Sequence, residues 1–526
     1  MLESHAIDRA ASRTHGSVAQ SAGMPCLHSA TKRELRALIS LALPIMLSCM
    51  LGFLMNVVDL LFVGHLGTDQ LAAAALGNAL WATIALPLQG CASALDTFLS
   101  QSYGAKQFAA YGQWVQTATI CMTLLSLPVA VFLGLAEPML LGIGQEPHVA
   151  ASAGVFCTRL IPGVPPFIAF LCLSKCLQSQ NVLAPAVYIA LLSNMINCGA
   201  NWLLIHSLGL GLAGAPLATS FSRWVQLLLL IGYLHLARNR LGATLPGLRV
   251  DWQQLPARSA RFFRLGAPGA LMLALEAWSF DLSTVMAGYL GEISLDAHTI
   301  MLNIIAFTFV SLPLALGIAS AIRVGQSLGA GDGTTAKLIA KLTVAVVLAL
   351  MTSLALVKLI LRDSLGYLFT SDAAVVAQVA SLVPIAALFQ ISDGLQAAIA
   401  GVMRGMGRQH LVAGLNFIGF WLIGIPVGAC LTFVARIGVS GLWWGLFAGL
   451  TSVAAIGVIA LMQTDWERMA RSALARVNTQ KSKEAPATQG VTAITSTIDM
   501  EEVVSATLPT ENVTGDDHMR LPHTVT

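Results

Sequence analysis

Glu276 lies near the middle of a stretch, Leu265 to Gly291, that is long and apolar enough to cross a bilayer. A carboxylate at that depth costs on the order of 3 kcal/mol unless it is neutral, paired or facing water, so it points to movement of an ion or substrate. Asp281 follows five residues later. At about 100° per residue the two acids stand roughly 140° apart and share a face only if the helix breaks. Asp59 is an acid inside the first apolar run. The membrane interior favours the neutral form of a carboxyl, and a nearby cation favours the charged form. A proton and an organic cation would compete for one such group, which gives exchange without a separate signalling path and acts in both directions. The alternative for each acid is burial against a neighbouring helix for packing alone.

Other side chains could complete such a site. Trp278, Phe280, Phe307, Phe417 and Trp421 offer aromatic faces that attract cations, with lipid or core packing as the competing reading for each. Asn197 and Asn201 are four apart on one helical face, and Asn303 is a further polar group in a span; such groups more often bond across helices than touch substrate. Arg223 sits inside the sixth span without an evident partner, and Arg323 and Arg404 close their helices. Pro44, Pro268, Pro313 and Pro426 permit bends. No phosphate-binding loop, hydrolase constellation or metal spacing is present, and the nine cysteines read as reduced small hydrophobes. No enzyme activity and no cofactor are expected.

The elements that position these residues follow from composition. Hydrophobic residues make up 56% of the 526 and charged residues 10%, against about 25% charged in a soluble domain. Mean hydropathy is +0.74. The class is an all-α polytopic membrane protein with twelve spans, at 38–63, 72–101, 114–136, 148–173, 183–206, 211–236, 263–290, 297–324, 338–361, 374–400, 410–434 and 439–463. Residues 1–37 read as a disordered cytosolic tail, 38–237 as a first lobe, 238–262 as a basic linker, 263–463 as a second lobe, and 464–526 as a largely disordered cytosolic tail. Within the last, 466–476 could form an amphipathic helix on the membrane surface, and Asn512-Val-Thr514 is a sequon expected to stay unmodified. Lys and Arg concentrate on the segments that share a side with the N-terminus, which puts both termini in the cytosol, at the plasma membrane or an internal, vacuolar membrane. The net charge of +3 suggests no nucleic-acid partner.

The chain also aligns with itself. Pro44 meets Pro268 and Gly64-His-Leu-Gly67 meets Gly288-Tyr-Leu-Gly291 at a shift of 224; Gln101-Ser-Tyr-Gly-Ala105 meets Gln326-Ser-Leu-Gly-Ala330 at 225; Lys175 meets Arg404 at 229. Two six-span halves of the same orientation follow, related by a pseudo-two-fold axis along the membrane normal, a plan typical of transporters. Glu276 aligns with Gly52, Asp281 with Val57 and Asp59 with Ser283, so the acids are not part of the shared frame.

The motifs Phe62-Val-Gly-His-Leu-Gly67, Ala94-Leu-Asp-Thr-Phe-Leu-Ser-Gln-Ser-Tyr-Gly-Ala105, Ala321-Ile-Arg-Val-Gly-Gln-Ser-Leu-Gly-Ala-Gly-Asp332 and Gly401-Val-Met-Arg-Gly-Met-Gly407, in this order, resemble the multidrug and toxic compound extrusion (MATE) family over about 38–463. The resemblance implies two lobes around a cleft that opens alternately to each side, and export of organic, often cationic, compounds against protons or sodium. Leu275-Glu-Ala-Trp-Ser-Phe-Asp281 is most similar to the eukaryotic, usually proton-coupled branch, in which the glutamate matching Glu276 is central and a second acid matches Asp393. Asp393 would act on Glu276 through like-charge repulsion if the two approach. Asn303 departs from a glutamate common in animal members. Asp59 is similar to the first-helix aspartate of prokaryotic relatives, whose polar partners match Asn197 and Asn201.

The reading is a secondary antiporter of organic cations coupled to protons, with a small organic substrate, the bilayer as surroundings and a monomer as the unit. Alternatives are sodium coupling, export of an organic anion or lipid-linked precursor, and a non-transporting scaffold or receptor.

Overall fold

The computed structural model describes residues 4–245 and 250–484. Twelve helices are long and apolar enough to cross a membrane. The first half holds α1 (Ser4–Gly64, of which Ser29–Gly64 is the apolar part), α2 (Thr68–Gly104), α3 (Phe108–Gly134), α4 (Pro147–Gln178), α5 (Ala184–Ser207) and α6 (Gly211–Leu236). The second holds α7 (Leu255–Gly288), α8 (Glu292–Gly329), α9 (Gly333–Ile360), α10 (Ala373–Met406), α11 (Gln409–Val434) and α12 (Val439–Met462). All twelve coincide with the apolar runs, because each run is longer than a bilayer core requires and leaves its backbone no partner but itself.

The ends differ from expectation. Helix α1 is described from Ser4, so the helix already includes most of the segment read as a disordered tail. Its Glu34 is held from the other half by Arg323, which anchors the start of the span. Helix α7 begins at Leu255, inside the expected linker, with Pro256 in its first turn and the buried Arg258 facing Asp251 at 3.7 Å. After α12 a further helix, α13 (Trp466–Glu484), buries Trp466, Met469, Ala470, Ala473 and Val477 along one stripe. That stripe packs with Met403, Met406 and Val412, so protein and not lipid covers it. The sequon at Asn512 lies outside the described residues.

The duplication is visible as reciprocal contact where α2 crosses α8. A Cβ added to Gly104 would lie 2.0 Å from the Gln326 carbonyl oxygen, and one added to Gly329 would lie 2.1 Å from that of Gln101. Gly104 and Gly329 are repeat partners, as are Gln101 and Gln326. Each half thus offers the other the same surface, as a two-fold requires. Ser100 faces its own repeat partner, Gly325, at the same crossing. A second close approach, Gly90 on Gly269, brings α2 onto α7. Both α2 and α8 are broken in mid-span: at Ser93, whose hydroxyl donates back to the Gly90 carbonyl (2.6 Å), and at Leu312, before Pro313.

Candidate functional site

In the second half, Glu276 projects from mid-α7. Its Oε2 accepts from the Gln396 amide on α10 at 2.9 Å and from the Asn416 amide on α11 at 3.3 Å. Asn416 also donates to the Met272 carbonyl one turn earlier on α7 (3.0 Å), which fixes the amide's orientation. It is the last residue before α11 widens into a π-helical segment, Phe417–Gly424, an irregularity common at functional positions. The other carboxylate oxygen, Oε1, accepts from no group among the described residues, and the side chain is only partly buried. Asp393 lies three residues before Gln396, buried and close enough for its charge and that of Glu276 to act on each other. Lys358 of α9 attracts Asp393, and its amine is buried without a hydrogen-bond partner.

The first half holds a differently built acid. Asp59, near the end of α1, is 3% exposed. Its Oδ1 accepts from Asn201 of α5 at 2.7 Å, and its Oδ2 from the Thr219 hydroxyl of α6. Asn197 donates to Thr219 at 3.5 Å, so the threonine proton is directed at the carboxylate. Asn201, like Asn416, ends the α-helical part of its span and precedes a π-helical segment, Trp202–Ser207.

A third cluster involves both halves. Lys175 of α4 pairs with Asp96 of α2 at 2.6 Å, both buried. Arg404, its repeat partner, is drawn to Asp96 and also to Glu276, because the second half has Ala321 where the first has Asp96. Side-chain-to-backbone bonds lock this contact: the Thr97 hydroxyl donates to the Arg404 carbonyl (2.5 Å) and the Gln101 amide to that of Gly405 (3.0 Å).

The structure therefore brings together Glu276 with Asp393, and Asp59 with Asn197 and Asn201. Asp281 stands apart: α7 is unbroken there, the acid is exposed, and its face is not that of Glu276. Phe280 is packed edge-on to Phe389 and Phe420 at about 6 Å and belongs to the core. Trp421 donates to the Leu275 carbonyl (3.0 Å), beside Glu276. Trp278 and Phe417 are exposed. Phe307 is also exposed and meets Phe53 of the first half at 6.4 Å, while Asn303 bonds only its own helix at Thr299 (2.9 Å). Sequence reading missed Gln396, Asn416, Lys358, Thr219 and the Asp96–Lys175 pair. The available signal was the same for all: a polar side chain within an apolar run.

A family model described as MatE matches residues 44–203 and 268–430, one block in each half. Protein DETOXIFICATION 16 of Arabidopsis thaliana is 32% identical over 462 residues, covering 86% of this chain and 93% of the relative. Multidrug and toxin extrusion protein 2 of Mus musculus is 32% identical over 457 residues, covering 86% and 78%. Among solved structures, the eukaryotic MATE transporter AtDTX14 superposes with a TM-score of 0.81 at 29% identity, over 85% of this chain and all of that one.

Proposed function

Because the chain belongs to the MatE family of multidrug and toxin extrusion transporters, we propose that it is a secondary antiporter exporting organic cations in exchange for protons. The observation that carries this reading is the half-satisfied carboxylate of Glu276. One oxygen is held by two neutral amides, and the other has no protein partner. Such a group is positioned without an ion pair, although the charge of Arg404 acts on it. A proton or a substrate cation can complete it, and the two exclude each other. Asp393 adds a second negative charge to the same region, which strengthens the competition. The exposed ring of Phe307, at the contact between the halves, supports a cation-attracting wall in a cleft there. Alternating access follows from two halves that touch across small residues and can rock about that crossing. The concentration of basic residues beside the N-terminal side supports cytosolic termini, in the plasma membrane or a vacuolar one, and one chain supplies both halves of the transport unit.

The test is uptake of a fluorescent organic cation into proteoliposomes under an imposed pH gradient. Wild type should accumulate it, and Glu276→Gln and Asp393→Asn should not, although both insert and purify. Equal uptake by wild type and Glu276→Gln would remove the basis of the assignment.

A further inference from the structure

Arg223 of α6 is 6% exposed and lies deep in the first half. Its guanidinium stacks 4.5 Å from the Trp81 ring and 5.0 Å from that of Phe167, which clamp it from α2 and α4. Its Nη1 is buried without a hydrogen-bond partner. A cation so placed is costly in a membrane unless a counter-charge is near. That counter-charge is Asp59: Thr219, which donates to Asp59 Oδ2, is one helical turn from Arg223 on the same face, and each charge acts on the other. Three titratable groups on the surrounding helices are differently engaged. Cys157 faces the Gly77 carbonyl, His206 is exposed against the Phe62 ring, and Lys175 belongs to Asp96.

Apart from Arg223, the pocket has the donors of a small-cation site. The Asp59 carboxylate, the Thr219 hydroxyl and the Asn197 amide oxygen belong to one hydrogen-bond network with the Asn201 amide nitrogen, and Asn201 Oδ1 is buried without a donor. Hard oxygens of this kind suit a small inorganic cation. We propose that Arg223 is a tethered cation that occupies this pocket electrostatically, keeps sodium out of it and confines ion coupling to the second half. The inference deepens the antiport reading by assigning ion specificity to one residue.

The test uses the full-length protein in detergent and in proteoliposomes. Sodium, compared with potassium and choline at equal ionic strength, should leave the melting temperature of wild type and Arg223→Lys unchanged. It should raise that of Arg223→Gln by on the order of 2 °C, and the rise should vanish in Asp59→Asn/Arg223→Gln. A sodium gradient should drive uptake of the organic cation by Arg223→Gln only. Folding is checked by the pair: Asp59→Asn alone, which strands a buried cation, should melt lower than the doubly neutral protein. A sodium response in wild type, no sodium response in Arg223→Gln, or a doubly neutral protein no more stable than Asp59→Asn would each overturn the proposal. The binding and stability measurements hold whether or not wild type is proton-driven, so failure of the antiport reading shows separately, as absent uptake under a pH gradient.

Discussion

The two halves share a frame and differ in how they treat an acid. In both, a carboxylate from the first helix of the half is held by an asparagine that ends an α-helical stretch and precedes a π-helical one. Asp59 is bonded at both oxygens and faces the buried Arg223, whereas Glu276 is bonded at one and leaves the other open. A fully satisfied carboxylate resembles a structural group, and a half-satisfied one can change state. The two acids are not repeat partners, since Asp59 aligns with Ser283 and Glu276 with Gly52, so each half places an asparagine-held acid at its own position on the shared frame and surrounds it differently.

The largest effect should fall on transport. Glu276→Gln is expected to lower proton-driven uptake by roughly tenfold or more, the range of a typical coupling energy. Asp59→Asn, compared at equal amounts of folded protein in the same vesicles, should retain most of it. If Asp59→Asn is the variant that fails, the division of labour between the halves is reversed.

Next comes stability. Asp96→Asn leaves Lys175 buried without its partner, at a cost of about 3–5 kcal/mol. Thermal unfolding of the purified protein should show most of that loss restored in Asp96→Leu/Lys175→Met.

The symmetric crossing sharpens the comparison in the other direction. Gly104→Ala and Gly329→Ala each push a methyl against a carbonyl of the opposite half and should each cost about 1–3 kcal/mol. Because the contact is reciprocal, the two melting temperatures should fall alike. A large drop in only one would show that the crossing is not equivalent on its two sides.

The smallest effects lie in the loops that follow the crossing. Gly331 and Asp332 of the second half occupy the places of Lys106 and Gln107 in the first. Both Gly331 and Lys106 have positive φ, +82° and +56°. Glycine accepts that conformation and lysine is strained in it, so Lys106→Gly should stabilise by about 1 kcal/mol. Asp332 caps α9 by accepting from the Thr335 amide at 2.8 Å, whereas Gln107 makes no side-chain cap. Partial burial pushes the Asp332 carboxyl up, but hydrogen bonds from Thr335 and Thr334 outweigh it and hold the group below the usual carboxylate range. Asp332→Ala should cost about 1 kcal/mol near neutral pH. A group lowered by folding stabilises above its unfolded value and loses that contribution as pH falls through the folded one. The gap between Asp332→Ala and wild type should therefore close on acidification, and a gap that widens would contradict the capping account.

The spans were legible because each is a local property: about twenty apolar residues need no tertiary partner to declare themselves. The repeat was legible because copied motifs keep their order, as Gly64–Gly67 and Gly288–Gly291 do. Glu276 was legible because a carboxylate in the middle of an apolar run is conspicuous wherever it points, whereas Asp96, Lys175 and Lys358 lie toward the ends of theirs. Gln396, Asn416 and Thr219 were not, since a neutral polar residue in a span is equally compatible with packing, helix-to-helix bonding and site formation. Asp281 shows the converse: a charge count along the chain does not say which face of a helix meets protein.

The twelve helices, their duplication and the acid in mid-α7 were thus determined by sequence alone, since each is written in contiguous residues or a fixed shift between them. Which oxygen of Glu276 is held, that the charge of Asp393 acts on it and that of Lys358 on Asp393, and that Arg223, stacked between two aromatic rings, lies within electrostatic range of Asp59 were decided only by tertiary structure. Those relations join residues up to 164 positions apart, from Asp59 to Arg223, and the electrostatics of a membrane interior depend on distance in space and on access to water, neither of which is local to the chain.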